Sequence, residues 1–169
     1  MMQVLRAAQH LHLPDWMIGA GFVRNKVWDH LHNRTTRTIT ESDIDLIYYD
    51  ASDLAVATER HYDNMLHTEL PAPWSCKNQA RMHTKHQRPS PYRSSEEALG
   101  EWVETATCIA VRLEDAGNLV LFAPHGISDL VQLIVRPTVT HRDDLSHFFE
   151  RIAVKKWLER WPQLEVSEQ

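Results

Sequence analysis

Two aspartates stand one residue apart in the segment Asp43-Ile44-Asp45. The surrounding residues, Ser42 to Asp50, are rich in β-formers and predict a strand. Side chains alternate along a strand, so the two aspartates share one face while Ile44 turns toward the other. Two carboxylates roughly 6–7 Å apart along the backbone can converge on a divalent cation such as Mg²⁺. Taken alone, however, the pair also fits an edge strand that carries two solvated acids.

A second candidate feature is the small-residue segment Gly19-Ala20-Gly21, which separates a short apolar run from a helical pattern. Glycines allow a backbone to approach a phosphate closely, and a helix N-terminus offers free N–H groups. Arg24 and Asn25 in the first helical turn would add a positive charge and a hydrogen-bond donor. The segment is neither a Walker loop nor a dinucleotide-binding fingerprint, and most isolated Gly-x-Gly sequences only form turns.

Together, the glycine turn and the paired aspartates resemble the DNA polymerase β-like nucleotidyltransferase superfamily. More narrowly, the chain is similar to a bacterial family of nucleotidyltransferase-like proteins over about residues 15 to 137. Four stretches carry this resemblance: Gly19-Ala20-Gly21-Phe22-Val23-Arg24-Asn25-Lys26-Val27-Trp28-Asp29, Asp43-Ile44-Asp45-Leu46-Ile47-Tyr48-Tyr49-Asp50, Asn78-Gln79-Ala80-Arg81-Met82-His83 and Glu104-Thr105-Ala106-Thr107.

The resemblance implies roles for particular residues. Gly19 and Gly21, with Ala20 between them, would hold the triphosphate of a nucleotide. Asp43 and Asp45 would bind Mg²⁺ or Mn²⁺. A third carboxylate in the superfamily is a metal ligand or a base for the acceptor hydroxyl. Glu104 is the candidate for that role, and a surface acid at a helix end is its alternative.

Other residues are candidates for nucleotide binding. Arg24, Asn25, Asn78 and Arg81 would line the cleft, because arginine suits phosphate and amides suit a base or sugar; Gln79 accompanies them. The alternative for Arg81 is a structural arginine that binds backbone carbonyls. The spacing from Gly21 to Asp43, 43 − 21 = 22 positions, is longer than is typical of the superfamily.

The elements that would position these residues alternate between helix and strand. They predict an α/β (α+β) fold with a mixed β-sheet flanked by helices. We expect one nucleotidyltransferase-like domain over 1–169, with 138–169 as a C-terminal helical extension. The predicted elements include a helix that begins near Ser52, a strand over Thr105–Leu113 and a final helix over about His141–Trp161.

Composition narrows the function classes. The chain has 169 residues, 18 Lys plus Arg and 23 Asp plus Glu, which gives a formal net charge of 18 − 23 = −5. An acidic chain of this length argues against binding a long nucleic acid, which usually needs a basic surface. Two cysteines, without a signal-peptide pattern or a long apolar stretch, predict a reduced cytoplasmic protein that is not bound to a membrane.

The sequence therefore predicts an Mg²⁺-dependent nucleotidyltransferase. It would move a nucleoside monophosphate from a nucleoside triphosphate to a hydroxyl or phosphate on a small molecule or protein. One alternative is an inactive nucleotide-binding or regulatory module that keeps the fold. Another is an interaction protein that forms a homodimer through its final helix.

Overall fold

The fold was obtained as a computed structural model, which describes residues 1–34, 43–86 and 88–168. The polar segment Asn33 to Glu41 predicts a loop, and residues 35–41 of it lie outside the described residues. The longer helices are α1 (Met2–His10), α2 (Gly21–Leu31), α3 (Val56–Glu69) and α7 (Ser146–Val154). The shorter helices are α4 (Met82–Lys85), α5 (Ser95–Gly100), α6 (Ser128–Val131) and α8 (Trp157–Arg160), with 3₁₀ turns at Gln79–Arg81, Thr105–Thr107 and Val139–His141.

Five strands form the main sheet. They are β1 (Met17–Gly19), β2 (Ile44–Tyr48), β3 (Trp74–Asn78), β4 (Ala110–Leu113) and β5 (Leu119–Phe122). Their order across the sheet is β3-β2-β1-β4-β5; β2 and β3 run parallel, whereas β1 is antiparallel to both β2 and β4. A separate two-stranded sheet pairs β6 (Ile134–Val135) with β7 (Glu165–Val166). This mixed sheet flanked by helices confirms the predicted α+β fold class.

The two faces of the main sheet differ, as the alternation along β2 predicts. Ile44, Leu46 and Tyr48 lie in the main hydrophobic core, where each is at most 2% exposed. Ile47, on the opposite face, belongs to a smaller cluster with Leu99. The second face is therefore only partly covered, and the rest of it is available to form a cleft.

Helix α3 begins later than predicted, at Val56 rather than near Ser52. The backbone N–H and hydroxyl of Ser52 both donate to the carboxylate of Asp50, at 2.8 and 2.6 Å. Asp53 in turn accepts from the N–H of Ala55 at 2.9 Å. These local side-chain bonds hold the chain in turns and compete with helix formation.

The predicted strand over Thr105–Leu113 is wrong in its first half. Thr105–Thr107 forms a 3₁₀ turn, and the strand begins only at Ala110. The backbone N–H of Cys108 donates to the carbonyl of Glu104 at 3.1 Å, so the chain turns here instead of extending. The turn places Glu104 and Thr107 beside each other.

The predicted final helix is also wrong as a single element. It is divided into a 3₁₀ turn, α7 and α8, with Lys156 in the left-handed region at φ +51° between the two helices. Apolar side chains of this region, among them Phe148 and Trp157, lie in the main core. Since burial of apolar surface is the main stabilising term, the C-terminal region is part of the same packed unit. In the described part of the chain, no helix is both long and apolar enough to cross a membrane.

Candidate active site

A cleft of about 750 Å³ lies over the partly covered face of the sheet. One side consists of residues of β2 and β3, including Asp45 and Lys77. The other side comes from later parts of the chain, including Trp102, Thr107 and Arg151. The cleft therefore joins residues from the sheet with residues from the C-terminal region.

The glycine turn lies at one end of this cleft, where Ala20 is part of the wall. A Cβ atom on Gly19 would lie 3.1 Å from the Trp102 ring and 3.3 Å from the Ile109 carbonyl oxygen, so a larger residue there would require its neighbours to shift by a few tenths of an ångström. The positive φ of the turn is carried by Ala20, at +52°, and not by a glycine. The turn thus lies where the small residues predicted it, and its strained conformation is at the alanine between the two glycines.

Helix α2 begins directly after this turn, with Ala20 as its N-cap residue. No side chain from the described part of the protein caps this end through a hydrogen bond. The N-terminus of a helix carries a partial positive charge and N–H groups without intrahelical partners. The turn and the helix end together can therefore receive an anionic group such as a phosphate.

Asp45 lies beside the glycine turn, because Gly19 and Asp45 are register partners in the antiparallel pair of β1 and β2. Burial, and then the nearby charge of Asp43, raise the pKa of Asp45 above its ordinary value of 3.8. Arg24, Lys155 and Arg151 oppose this increase. The ionised form of Asp45 is therefore incompletely compensated by the protein.

The donor set at this position suits Mg²⁺. Asp43 is exposed at the start of β2, Asp45 is partly buried in the cleft, and the two carboxylates repel each other. Mg²⁺ is typically held by one or two protein carboxylates together with substrate phosphates and water. Among the residues that the structure describes, no cluster of three or more His, Cys, Asp or Glu could form a metal site without the substrate.

Arg24 and Asn25 lie under the glycine turn, where both are at most 5% exposed. The Arg24 guanidinium donates to the Asn25 side-chain oxygen at 2.9 and 3.2 Å and to the Thr107 hydroxyl at 2.6 Å. It also lies 4.2 Å from the centre of the Trp157 ring. Burial lowers the pKa of Arg24 to about 10. The Arg24 guanidinium is thus engaged within the protein next to the turn, and its role in nucleotide binding stays a prediction.

Glu104, the predicted third carboxylate, is fully buried at 0% exposure. It accepts from the Thr107 hydroxyl at 2.7 Å and from the Arg151 guanidinium at 2.6 and 3.2 Å. Both of its oxygens are therefore engaged within the protein. Thr107 and Arg151 themselves line the cleft, so Glu104 lies directly behind the cleft wall.

Asn78 and Arg81 are not among the residues that line the cleft. The Asn78 side chain donates to the carbonyls of Asp50 and Asp53 at 2.7 and 2.8 Å. Arg81 binds the buried carboxylate of Glu59 through two hydrogen bonds, at 2.7 and 2.5 Å. We call Glu59, Asn78 and Arg81 the α3 brace, because they tie α3 and the preceding loop to the end of β3. These contacts favour the structural interpretation of both residues.

The structure adds cleft residues that the sequence did not reveal. Ser75 and Lys77 follow from the parallel register of β2 and β3, which pairs them with Asp45 and Ile47. Arg151 comes from α7, far along the chain. Alternation within β3 could have placed Ser75 and Lys77 on one face, but no local signal in the sequence indicates Arg151.

Comparisons with known proteins identify the family and the fold. A protein-family model described as nucleotidyltransferase matches residues 6–166. A structure determined by NMR and described as a CCA-adding enzyme head domain superposes with a TM-score of 0.87 at 28% identity, covering 99% of this chain and 89% of that chain. No protein with a curated description matches the chain by sequence.

Larger enzymes share only the fold. A CCA-adding enzyme in complex with CTP matches with a TM-score of 0.58 at 13% identity, over 97% of this chain and 38% of that one. The Thermotoga maritima CCA-adding enzyme in complex with tRNA matches with a TM-score of 0.55 at 15% identity, over 97% and 37%. The chain thus spans about two-fifths of the length of these enzymes. The nucleotidyltransferase family model matches residues 6–166, nearly the whole length of this chain. The chain therefore belongs to the nucleotidyltransferase family.

Proposed function

We propose that this protein is an Mg²⁺-dependent nucleotidyltransferase that moves a nucleoside monophosphate from a nucleoside triphosphate to a hydroxyl or phosphate acceptor. The observation that carries the proposal is the register of β1 and β2, which sets Asp45 beside Gly19 at the glycine turn. The carboxylate pair can bind a divalent cation, and the adjacent helix N-terminus can bind a triphosphate.

Each part of the cleft has a distinct role in this reaction. The turn at Gly19 and Gly21 and the first N–H groups of α2 hold the terminal phosphates. Asp43 and Asp45 hold the cation, which when bound supplies charge neutralisation to the attacking and leaving oxygens. Arg151, held in place by Glu104, presents a positive charge to the phosphates from the opposite wall. Catalysis then consists mainly of positioning and electrostatic stabilisation.

The preferred acceptor is a small molecule or a protein. The net charge of −5 disfavours a long nucleic acid, whose phosphates require a basic surface. A tRNA 3′ end is the second candidate, because structures of similar fold include a CCA-adding enzyme in complex with tRNA. The match covers only 37% of that enzyme. The contacts that the enzyme makes through the rest of its length therefore lie outside the comparison.

The first test is thermal stability with each of the four ribonucleoside triphosphates, with and without Mg²⁺. A ligand that binds only the folded state raises the unfolding midpoint. We expect a midpoint increase that needs both the triphosphate and Mg²⁺ and that Asp45→Asn removes. Asp143→Asn, a change at an exposed aspartate outside the cleft, should keep the full increase and serves as the matched control.

Turnover is then measured as pyrophosphate release with small-molecule, protein and tRNA acceptors. Asp45→Asn should lower the rate by about a thousandfold, as expected for loss of a group that positions the metal, about 4 kcal/mol. Binding without pyrophosphate release for any acceptor would favour the inactive nucleotide-binding module. Absence of any triphosphate effect on the unfolding midpoint would favour the interaction protein.

A further inference from the structure

Gln79 is a buried polar residue in the wall of the cleft. Its side chain is part of the lining, and the residue is only 2% exposed. Among the described residues, its Oε1 is one of two buried side-chain polar atoms without a hydrogen-bond partner; the other is the Ser95 hydroxyl. Ser95 does not line the cleft, so Gln79 alone combines an unmatched acceptor with a position in the site.

The orientation of the Gln79 amide follows from its other hydrogen bond. Its Nε2 donates to the carbonyl of Lys77 at 3.1 Å. A flipped amide would set Oε1 against that carbonyl oxygen, and two acceptors cannot form a hydrogen bond. The group that remains unpaired is therefore an acceptor, and it can be satisfied only by a donor N–H or O–H.

Gln79 lies at the end of the cleft that is remote from the glycine turn. Asp45 pairs with Ser75, and Gln79 comes four residues after Ser75, roughly 13 Å away at strand spacing. Because β2 is antiparallel to β1 and β3 is parallel to β2, this direction leads away from the turn. A triphosphate held at the turn would therefore extend its nucleoside toward Gln79.

The surroundings of Gln79 combine buried apolar side chains with polar ones. Met82 and Tyr92, both buried, line the same end of the cleft. Lys77 lies 4.0 and 3.9 Å from the carboxylates of Glu59 and Asp63, so its charge is already balanced. Polar groups are held there as well, since the Tyr92 hydroxyl forms a hydrogen bond with the His86 ring at 2.8 Å and Glu101 also lines the cleft. A pocket that combines apolar surface with a few fixed polar groups is the usual arrangement for recognition of a specific ligand group.

We propose that Gln79 is a specificity-determining residue whose Oε1 accepts a hydrogen bond from the nucleoside part of the triphosphate. This inference rests on the proposed function, because it needs a nucleotide in the cleft. The donor is either an N–H of the base or a hydroxyl of the ribose. A bound nucleotide that lacks the donor would leave the buried oxygen unpaired and bind more weakly.

The test measures the dissociation constants of Mg²⁺-triphosphates by calorimetry. The probes are the four ribonucleoside triphosphates, the 2′-deoxy and 3′-deoxy forms of the one that binds most tightly, and a base analogue of it that lacks the N–H donor. We expect one analogue to bind the parent protein about tenfold more weakly. The analogue that shows this loss identifies base or ribose as the source of the hydrogen bond.

The variant Gln79→Met keeps the length of the side chain and removes the acceptor. It should bind the complete triphosphate about tenfold more weakly than the parent protein does. It should also bind the complete triphosphate and the analogue that lacks the donor with the same affinity. Gln132→Met, at an exposed position outside the cleft, is the matched control and should discriminate as the parent does.

Three outcomes overturn the proposal. If the parent protein binds every analogue as tightly as the complete triphosphate, Gln79 accepts no hydrogen bond from the nucleoside. This outcome overturns the proposal whether or not the Gln79→Met variant folds. If Gln79→Met discriminates as the parent does, another residue forms the hydrogen bond. If the parent binds no triphosphate, the proposed function fails, and the role of Gln79 fails with it.

Discussion

The cleft and the α3 brace contain similar residue types but differ in how their charges are matched. In the brace, Glu59 is buried and bound by Arg81, and Asn78 satisfies the backbone of the neighbouring loop. In the cleft, burial and then the nearby charge of the exposed Asp43 raise the pKa of Asp45. A buried charge that the protein itself satisfies stabilises a fold, whereas an incompletely satisfied one is more typical of a binding site.

The cleft also has a polar network of its own, which lies one layer behind its wall. Arg24 and Glu104 are joined through the Thr107 hydroxyl, and Glu104 binds Arg151. Unlike the brace, this network includes two residues that line the cleft. Changes in it should therefore affect both stability and ligand binding, whereas changes in the brace should affect mainly stability.

The largest effect is expected from Glu59→Ala in the brace. It would leave the Arg81 guanidinium without its buried partner, which typically costs about 3–5 kcal/mol of unfolding free energy. Urea denaturation measures this loss. The milder change Glu59→Gln keeps a hydrogen-bond acceptor and should lose less.

Triphosphate affinity of the folded Glu59→Gln protein should stay close to that of the parent, since Glu59 does not line the cleft and Asp63 still lies 3.9 Å from the cleft residue Lys77. A changed affinity at equal folded fraction would mean that the brace and the cleft act as one site.

Thr107→Val tests the network behind the cleft. Loss of the hydroxyl would leave Arg24 and Glu104 without their shared partner, and we expect a loss of about 1–3 kcal/mol in unfolding free energy. Because Thr107 and Arg151 line the cleft, triphosphate affinity should fall as well. Urea denaturation and calorimetry measure the two effects.

Thr58→Val is the matched change in the loop held by the brace, where the Thr58 hydroxyl donates to Asp53 at 2.6 Å. It should cost about 0.5–1.5 kcal/mol and leave triphosphate affinity unchanged. Equal losses of triphosphate affinity in Thr107→Val and Thr58→Val would mean that the cleft and the α3 brace do not differ in their effect on ligand binding.

The pH dependence of stability should differ between the parent protein and Asp45→Asn. A folded-state pKa above the ordinary value of 3.8 means that the folded protein holds this proton more tightly than the unfolded chain does. The contribution of Asp45 to stability therefore falls as pH rises from 3.8 through its raised pKa.

The Asp45→Asn variant has no titratable group at position 45. Measured without metal, Asp45→Asn should be more stable than the parent at neutral pH, and the difference should shrink as the pH falls through that window. Thermal unfolding between pH 3 and pH 8 in the presence of a chelator measures it. A parent protein that is more stable than the variant at neutral pH would show that Asp45 is already compensated, as Glu59 is.

The smallest effect is expected at the glycine turn, where backbone strain accompanies the unmatched charge. Ala20 has φ +52° and ψ −129°, a region that L-residues rarely adopt. Ala20→Gly should relieve about 1–3 kcal/mol of strain and lose about 0.5–1 kcal/mol to chain entropy, so a net gain of about 1 kcal/mol is expected.

Ala116→Gly in the β4–β5 turn has no positive φ to relieve and is the matched control. It should lose about 0.5–1 kcal/mol of unfolding free energy in urea denaturation, which is the entropy cost of glycine. If Ala20→Gly is destabilised to the same extent, the turn carries no strain.

Local patterns predicted much of the fold around the site. Alternation along β2 correctly assigned Ile44, Leu46 and Tyr48 to the core, and the small residues before α2 correctly located the turn. Helix α5 shows the same local control, since Ser94 caps it by accepting from the N–H of Glu97 at 3.0 Å. These features depend on neighbours along the chain, so the sequence alone contains the information.

Long-range contacts decided the remaining features. Asn78 and Arg81 resembled cleft residues in the sequence, but Glu59 and the loop before α3 engage them elsewhere. Arg151 lies 47 residues from Glu104 and reaches the cleft only through the packing of α7. A side-chain pattern fixes which face of a strand or helix a residue occupies, whereas its hydrogen-bond partner depends on which distant element packs there.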